Sequence, residues 1–489
     1  MFDRRLFLGS VTAMGGLAMM PARGLAADRP DAIVPLVRHM LTTQLADIPA
    51  AAVAMTRAQL FDIAGVALAG RNEAGVTELR HLAKVTGGRG ESAVWGSNLS
   101  LPCQDAARIN AVMAHALEFD DTFGPGFLHP SAIVFPAALA VSDLIGNISG
   151  EEFLAATTLA TDIACRLSVA GQPGVDGFSV GWHNTTLIGY LSSALVAARL
   201  LRLNEAQTIS AAGIAAHQAA GNAQSHVDSA LTKRLGPGFA SAAGVMAARL
   251  AQQGVTGPIG VLEGVKGWFS QYHKGIYSRE MLLGGLGTSF PAVENSFKPW
   301  PSCRGSHTSA DAALQLVARH SLTADQIERV IVRNGPAEWP FLSNPIAAKR
   351  QPATTVEAQF SIPWVVAAAF TDGWVRIAQF TNAALSRADI LAMAARITTQ
   401  QDNSLANPFG GPGGAAIEVT TRSGQLLRCQ VMEAKGDPKA PLSAAEVSQK
   451  FADCLDYGGV APANGRHLRK LLSDIDGINN MARLTHAMR

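Results

Sequence analysis

Residues 114–136 read AHALEFDDTFGPGFLHPSAIVFP, and the rest of the chain is organised around them. An apolar helical run ends in the acidic cluster Glu118, Asp120 and Asp121. Thr122 and the loop Gly124-Pro125-Gly126 follow, and His129-Pro130-Ser131 opens a second apolar run. This pattern predicts a helical body with carboxylate, hydroxyl and imidazole gathered where a helix breaks. Asp, Thr and Gly-Pro also favour plain turns, so an ordinary N-cap and turn competes with a site here.

Outward from this stretch, residues 31–285 carry mostly helical patterns. Residues 50–69 have apolar positions at three-and-four spacing and stop at Gly70. Residues 104–117 form the next helix and carry His115. Capping boxes at 149–152 and 204–207 precede helices over 153–169 and 209–221. A small-residue helix spans 241–253. Near Phe290 the texture changes. Residues 327–334 alternate and are rich in β-branched side chains, which predicts a strand. A capping box at 323–326 precedes it, 358–370 is an apolar helix, and 416–421 with 426–433 reads as a hairpin. Residues 407–414 read as a loop, 443–454 as a capped helix and 466–488 as a helical tail able to pack back on the first domain. The expected fold is mainly α. It has a large all-helical domain over 28–288, a smaller α+β lid domain over 289–440 and C-terminal helices over 441–489.

Composition narrows the function. The chain has 489 residues, 48% hydrophobic and 16% charged, which exceeds one typical domain and supplies large cores. The formal charge is +2 with no basic block, so nucleic-acid binding has no electrostatic footprint. Asp3-Arg4-Arg5-Leu6-Phe7-Leu8, an apolar stretch over 11–20 and small residues over 24–27 form a twin-arginine signal across residues 1–27. The expected location is therefore periplasmic. The apolar stretch is short for a membrane span and no second span is expected, so neither is a membrane anchor. Five cysteines (Cys103, Cys165, Cys303, Cys429 and Cys454) form no zinc spacing and are too widely spread for a disulfide framework.

Four further clusters carry chemistry, one of them Glu357-Ala358-Gln359-Phe360-Ser361-Ile362-Pro363-Trp364, which opens the apolar helix of the second domain. In Gly181-Trp182-His183-Asn184-Thr185-Thr186, His183 is a candidate general base or a hydrogen-bond donor to a bound carboxylate, or a structural histidine beside Trp182. Lys233-Arg234 precedes Gly236-Pro237-Gly238, which suits an anion at a helix start or, equally, a solvated basic pair. In Lys298-Pro299-Trp300-Pro301-Ser302-Cys303-Arg304-Gly305-Ser306-His307, two prolines hold an extended segment rich in cations. Lys and Arg bind carboxylates there, and Cys303 has the positive neighbourhood a thiolate needs.

Taken in order, HALEFDDT…HPSAIVFP, GWHNTTLIG, SALTKRLGPGFASAAG, KPWPSCRGSH, EAQFSIPWVVAAAF and GDPKAPLSAAEVSQKF resemble the MmgE/PrpD family. That family includes 2-methylcitrate dehydratase and cis-aconitate decarboxylase. The resemblance implies a helical domain with an α+β lid, a homodimer, a small carboxylate substrate, and no metal or organic cofactor. It implies a site between the two domains. Thr122, His129, His183, Lys233 and Lys298 match its site residues. Glu118 stands where the decarboxylase has an aspartate, Cys303 where it has a histidine, and Trp364 where an aromatic, often tyrosine, is found. Arg304 joins the lysines as an expected carboxylate holder. The implied reaction is cofactor-independent proton abstraction α to a carboxylate, with His183 or His129 as base and Thr122 as a proton relay. Dehydration of a 2-methylcitrate-like acid ranks first, ahead of epimerisation and decarboxylation. A non-catalytic exported organic-acid-binding protein and a cysteine hydrolase using Cys303 are the rivals.

Overall fold

The computed structural model describes residues 29–173, 180–407 and 412–489. The expected export signal over 1–27 and half of the 407–414 loop, residues 408–411, lie outside the described residues. Eight helices follow one another at the start: α1 (Ile33–Thr42), α2 (Ala50–Ala69), α3 (Val76–Thr86), α4 (Cys103–His115), α5 (Ser131–Ile145), α6 (Gly150–Ala170), α7 (Asn184–Leu200) and α8 (Glu205–Gln218). A ninth, α9 (Thr232–Gln252), packs on α4 and α7. Local chemistry explains the ends. Ser149 accepts the Glu152 N–H at 3.2 Å to start α6, and Asn204 with Gln207 closes a capping box on α8. Small residues let the helices approach closely: a Cβ on Gly244 of α9 would meet Ser193 Cβ on α7 at 2.5 Å.

The helices bury one large apolar core. Two of them, Ala50–Asn72 and Gly150–Ala170, are long and apolar enough to cross a membrane. This corrects the expectation of no second apolar span. Both are largely buried, as core helices of a large domain are.

A second core belongs to the lid. Its sheet holds four strands, β1 (Ile327–Asn334), β2 (Ile397–Gln401), β3 (Ala415–Thr421) and β4 (Leu426–Val431), in the order β2-β1-β3-β4. Strands β1 and β2 are parallel, and the other pairs are antiparallel. Helices α10 (His307–His320) and α11 (Ile362–Asp372) contribute to this second core. The chain then returns. From α12 (Ala444–Tyr457), α13 (Pro462–Ser473) and α14 (Ala482–Ala487), Phe451, Leu468 and Leu484 enter the first core.

Buried histidines make this fold sensitive to acid. Burial lowers His39 to about 4, His129 to about 3 and His226 to about 4. It also holds His115, His183 and His307 well below the ordinary imidazole range. Below about pH 6.5 the unfolded chain takes up protons that these folded imidazoles refuse, so their stabilisation, complete above that pH, is lost on acidification. Asp121 and Asp162, each raised to about 6 mainly by burial, act oppositely. The histidine shifts are larger and are met first. The thermal midpoint should therefore fall steadily from pH 7 to pH 4.5, as measured by calorimetry.

Candidate active site

A cavity of about 610 Å³ lies between the helical body and the lid. Eight of the nine expected site residues line it: Glu118, Thr122, His129, His183, Lys233, Lys298, Cys303 and Arg304. The route by which they meet starts at the end of α4. Glu118 breaks the helix with a φ of 52°, a left-handed conformation costly for a side chain with a Cβ. Three successive carbonyls at this break are each held by a long side chain. Gln359 Nε2 donates to Leu117 O, Lys298 Nζ to Glu118 O and Lys450 Nζ to Phe119 O, each at 2.9 Å. The donors come from the lid, the segment entering it and α12, so distant parts of the chain hold one loop.

Asp121 anchors the next turn. Its carboxylate accepts from Gln59 at 2.8 Å, Ser131 Oγ at 2.7 Å and Asn295 at 2.6 Å. Thr122–Phe123 pairs antiparallel with Asn295–Ser296. That pairing brings Lys298, two residues later, over the acidic cluster. Its ammonium lies 3.5 Å from Glu118 and 3.9 Å from Asp120. Lys298 is fully buried, and burial lowers its pKa while Asp120 opposes the shift.

The histidines form a layer. His129 Nδ1 lies 2.8 Å from the Asp121 carbonyl, which only accepts, so Nδ1 carries the proton and Nε2 is the basic nitrogen. Its backbone N–H donates to Thr185 Oγ1 at 3.0 Å, tying the loop to α7. Thr122 Oγ1 is 3.4 Å from His129 Nδ1. His183 caps α7, with Nδ1 held 2.7 Å from Thr186 Oγ1. Gly236 of α9 has no Cβ because one would strike Thr186 Oγ1. The glycine there serves close approach rather than a helix start, since α9 begins at Thr232 and Lys233 sits in its first turn.

Sequence reasoning missed a relay behind these residues. Asp120 Oδ2 meets His115 Nδ1 at 2.7 Å, and His115 Nε2 accepts from Lys233 Nζ at 2.7 Å. Lys233 also contacts the Glu118 carboxylate. Burial, and then Lys298, push Lys233 well below the ordinary lysine range. His115 was legible only as a residue on an apolar helix, because its partner lies 118 positions away. His226, on the short helix Gln224–Val227, also lines the cavity, 4.8 Å from His183 between ring centroids.

Ligand atoms of His115, Asp120 and His129 lie within 4.8 Å of one another, a spacing a metal could span. The donor chemistry does not fit a cation. His129 Nδ1 is protonated toward a carbonyl, His115 Nε2 is occupied by Lys233, and Lys298 faces Asp120.

Trp364 is the correction. It is fully buried in the lid core on α11 and donates its indole N–H to Gln379 O at 3.0 Å. Phe360, four residues earlier, lines the cavity instead. His307 is also buried and holds Arg304 Nη1 at 2.9 Å. Arg304 is further paired with Asp437 at 2.5 Å. Burial pushes the Cys303 thiol up, ahead of the opposing effect of Lys298, so the thiol rather than the thiolate prevails. Cys303→Ser should accordingly keep kcat within about threefold, since no thiolate nucleophile is lost. A loss of 10²-fold or more in steady-state assays would instead favour the cysteine hydrolase.

A helical body, an α+β lid and an enclosed layer of imidazole, ammonium and carboxylate between them define a protein built for acid–base chemistry on an anion. The MmgE/PrpD N-terminal domain matches residues 35–279 and the MmgE/PrpD C-terminal domain residues 300–472, and the chain belongs to this family. Within it, the chain is 27% identical to human cis-aconitate decarboxylase over 77% of this chain and 78% of the relative. It is 26% identical to the mouse cis-aconitate decarboxylase, covering 81% of each chain. It is 24% identical to that of Aspergillus terreus over 71% of this chain and 73% of the relative. These relatives make it lyase-like.

Proposed function

We propose that the protein is a lyase that forms a carbanion-like intermediate next to a carboxylate, using side chains alone. The observation that carries this is the meeting of two buried lysine side chains, Lys233 and Lys298, with two imidazoles that burial keeps neutral, His129 and His183, around one cavity. A substrate carboxylate beside the lysines adds to Glu118 and Asp120 in favouring their protonated form, which burial opposes. In dehydration, His129 Nε2 takes the α-proton, and the electron pair moves into the carboxylate facing the ammonium groups. The pair then expels the β-hydroxyl, which takes the proton carried by His129, passed on by His183 or through Thr122, leaving an alkene and water. In decarboxylation, the breaking C–C bond leaves its electron pair on the same extended carboxylate, carbon dioxide departs, and a proton drawn from solvent is delivered to carbon through a histidine. The activity named for the relatives favours decarboxylation of a cis-aconitate-like acid. Dehydration of a 2-methylcitrate-like hydroxy acid is the second reading, because Glu118 and Cys303 depart from the decarboxylase pattern.

The test is proton NMR in D₂O with substituted succinates, citrates, aconitates and methylcitrate. Deuterium uptake at carbon with alkene or carbon dioxide formation supports the lyase. Line broadening without exchange or product favours an exported binding protein. Export by the twin-arginine route to the periplasm is part of the proposal, tested by fusing residues 1–30 to a reporter with and without Arg4→Lys and Arg5→Lys. So is the homodimer, tested by analytical ultracentrifugation.

A further inference from the structure

The cavity is uneven. Its floor is charged, but the side formed by the lid is apolar. Ala337, Pro340, Phe341 and Phe360 line it there, with Phe127 from the helical body. Phe341 sits on the turn Trp339–Ser343 and remains 37% exposed, a large apolar face at a cavity wall. The lid turn is brought in close at Gly305, where a Cβ would meet Leu342 Cδ1 at 2.8 Å and Glu338 Cγ at 2.9 Å.

The charges are already balanced without substrate. Lys233 contacts Glu118, Lys298 lies near Glu118 and Asp120, and Arg304 is paired with Asp437. Among the described residues, the polar side chains on the lid side of the cavity are Cys303, Arg304, whose cation is paired with Asp437, and Glu338. Glu338 is 4% exposed, accepts the Gly413 N–H at 2.8 Å, and has its other carboxyl oxygen buried with no hydrogen-bond partner among the described residues. Burial raises its pKa. Beyond Arg304, whose charge is already paired with Asp437, the described residues of the lid side offer no cation to a distant carboxylate, and an ionised Glu338 would repel one.

Size agrees. A cavity of about 610 Å³ holds roughly twenty groups of water size at ~30 Å³ each, more than the dozen or so heavy atoms of a citrate-sized acid. Filling the excess with ordered water against phenylalanine and proline gains little, whereas apolar groups there leave water at a favourable ~0.8 kcal/mol per methylene.

We infer that the cavity contains a subsite for an apolar substituent: the substrate is a carboxylic acid whose carboxylate end meets Lys233 and Lys298 and whose alkyl or aryl arm lies under Pro340, Phe341 and Phe360. The inference rests on the lyase function proposed above and narrows its substrate class.

Two parallel measurements on the full mature chain keep the two ideas apart. Binding of succinates and aconitates carrying hydrogen, methyl, butyl, hexyl or benzyl substituents is followed by calorimetry, and turnover of the same acids by NMR. Affinity should rise about fourfold per added methylene until the lid side is filled. Phe341→Ala should flatten that rise, and Phe341→Asp should reverse it. A flat or falling affinity with chain length, absence of binding by any acid, or an unchanged slope in Phe341→Ala overturns the subsite. Turnover of compact acids with a flat slope would leave the lyase standing without the subsite. A rising slope without turnover would leave the subsite standing without the lyase.

Discussion

Replacing His129 with alanine should lower kcat by about 10²–10⁴-fold while changing KM only a few-fold. His129 is chosen over His183 because its tautomer is set by its surroundings. The Asp121 carbonyl at 2.8 Å takes the Nδ1 proton, and the carboxylate of Asp120, 3.5 Å from the same nitrogen, stabilises the imidazolium that forms when Nε2 accepts a proton. Asp121 cannot drift, because Ser131, Gln59 and Asn295 hold it. His183 lacks such a partner at Nδ1, since the Thr186 hydroxyl can donate or accept. The pH profile adds a second test. Burial lowers His129 to about 3, so its neutral, basic form persists below the ordinary imidazole range. The acid limb of kcat/KM should therefore lie well below pH 6.5. Solvent-deuterium exchange in the two alanine variants decides the assignment. Exchange that survives in His129→Ala and stops in His183→Ala would give the base role to His183.

What was legible in the sequence depended on whether a signal was local. The helix at Ala50–Ala69 and the strand at Ile327–Asn334 were expected with these bounds, because period and capping are written within each segment. Strand β2, ITTQQ, was not expected. It is a short edge strand, largely exposed and polar, so no alternation marks it. Site residues followed the same rule. Eight of those quoted in family motifs line the cavity, while Trp364 does not. An aromatic opening an apolar helix is equally suited to the core, and only the tertiary packing decides that Phe360, just before α11, faces the cavity while Trp364 on α11 does not. The relay through His115 was illegible because it joins positions 118 residues apart. The hold on residues 117–119 was illegible for another reason: its acceptors are backbone carbonyls, which no residue type announces.

That hold leads to the largest stability effect expected. Lys450→Met should cost about 3–5 kcal/mol, the range for breaking a buried ion pair from one side. Lys450 is 6% exposed and pairs with Asp62, 7% exposed, at 2.7 Å. It also donates to Phe119 O at 2.9 Å and stands 4.2 Å from the Phe119 ring centroid. Removing the ammonium leaves the Asp62 carboxylate without its cation and the Phe119 carbonyl without its donor. Asp62→Asn in the same chain should recover part of the loss, because it removes the orphaned charge, whereas Asp62→Asn alone should destabilise. The expected fall in thermal midpoint is on the order of 5 °C for a chain of this size, read by calorimetry at pH 7. The site should feel the change as well. Phe119 lies between Glu118 and Asp120, so a carbonyl released there frees the left-handed turn that sets both carboxylates. Displacements of about 1 Å at reacting groups cost on the order of 10²-fold in rate. Lys450→Met should thus lose kcat at temperatures where it remains fully folded, and Lys450→Arg, which keeps the charge, should restore more of the stability than of the rate. A variant that lost stability with kcat intact would show that α12 supports the fold without positioning the acidic turn.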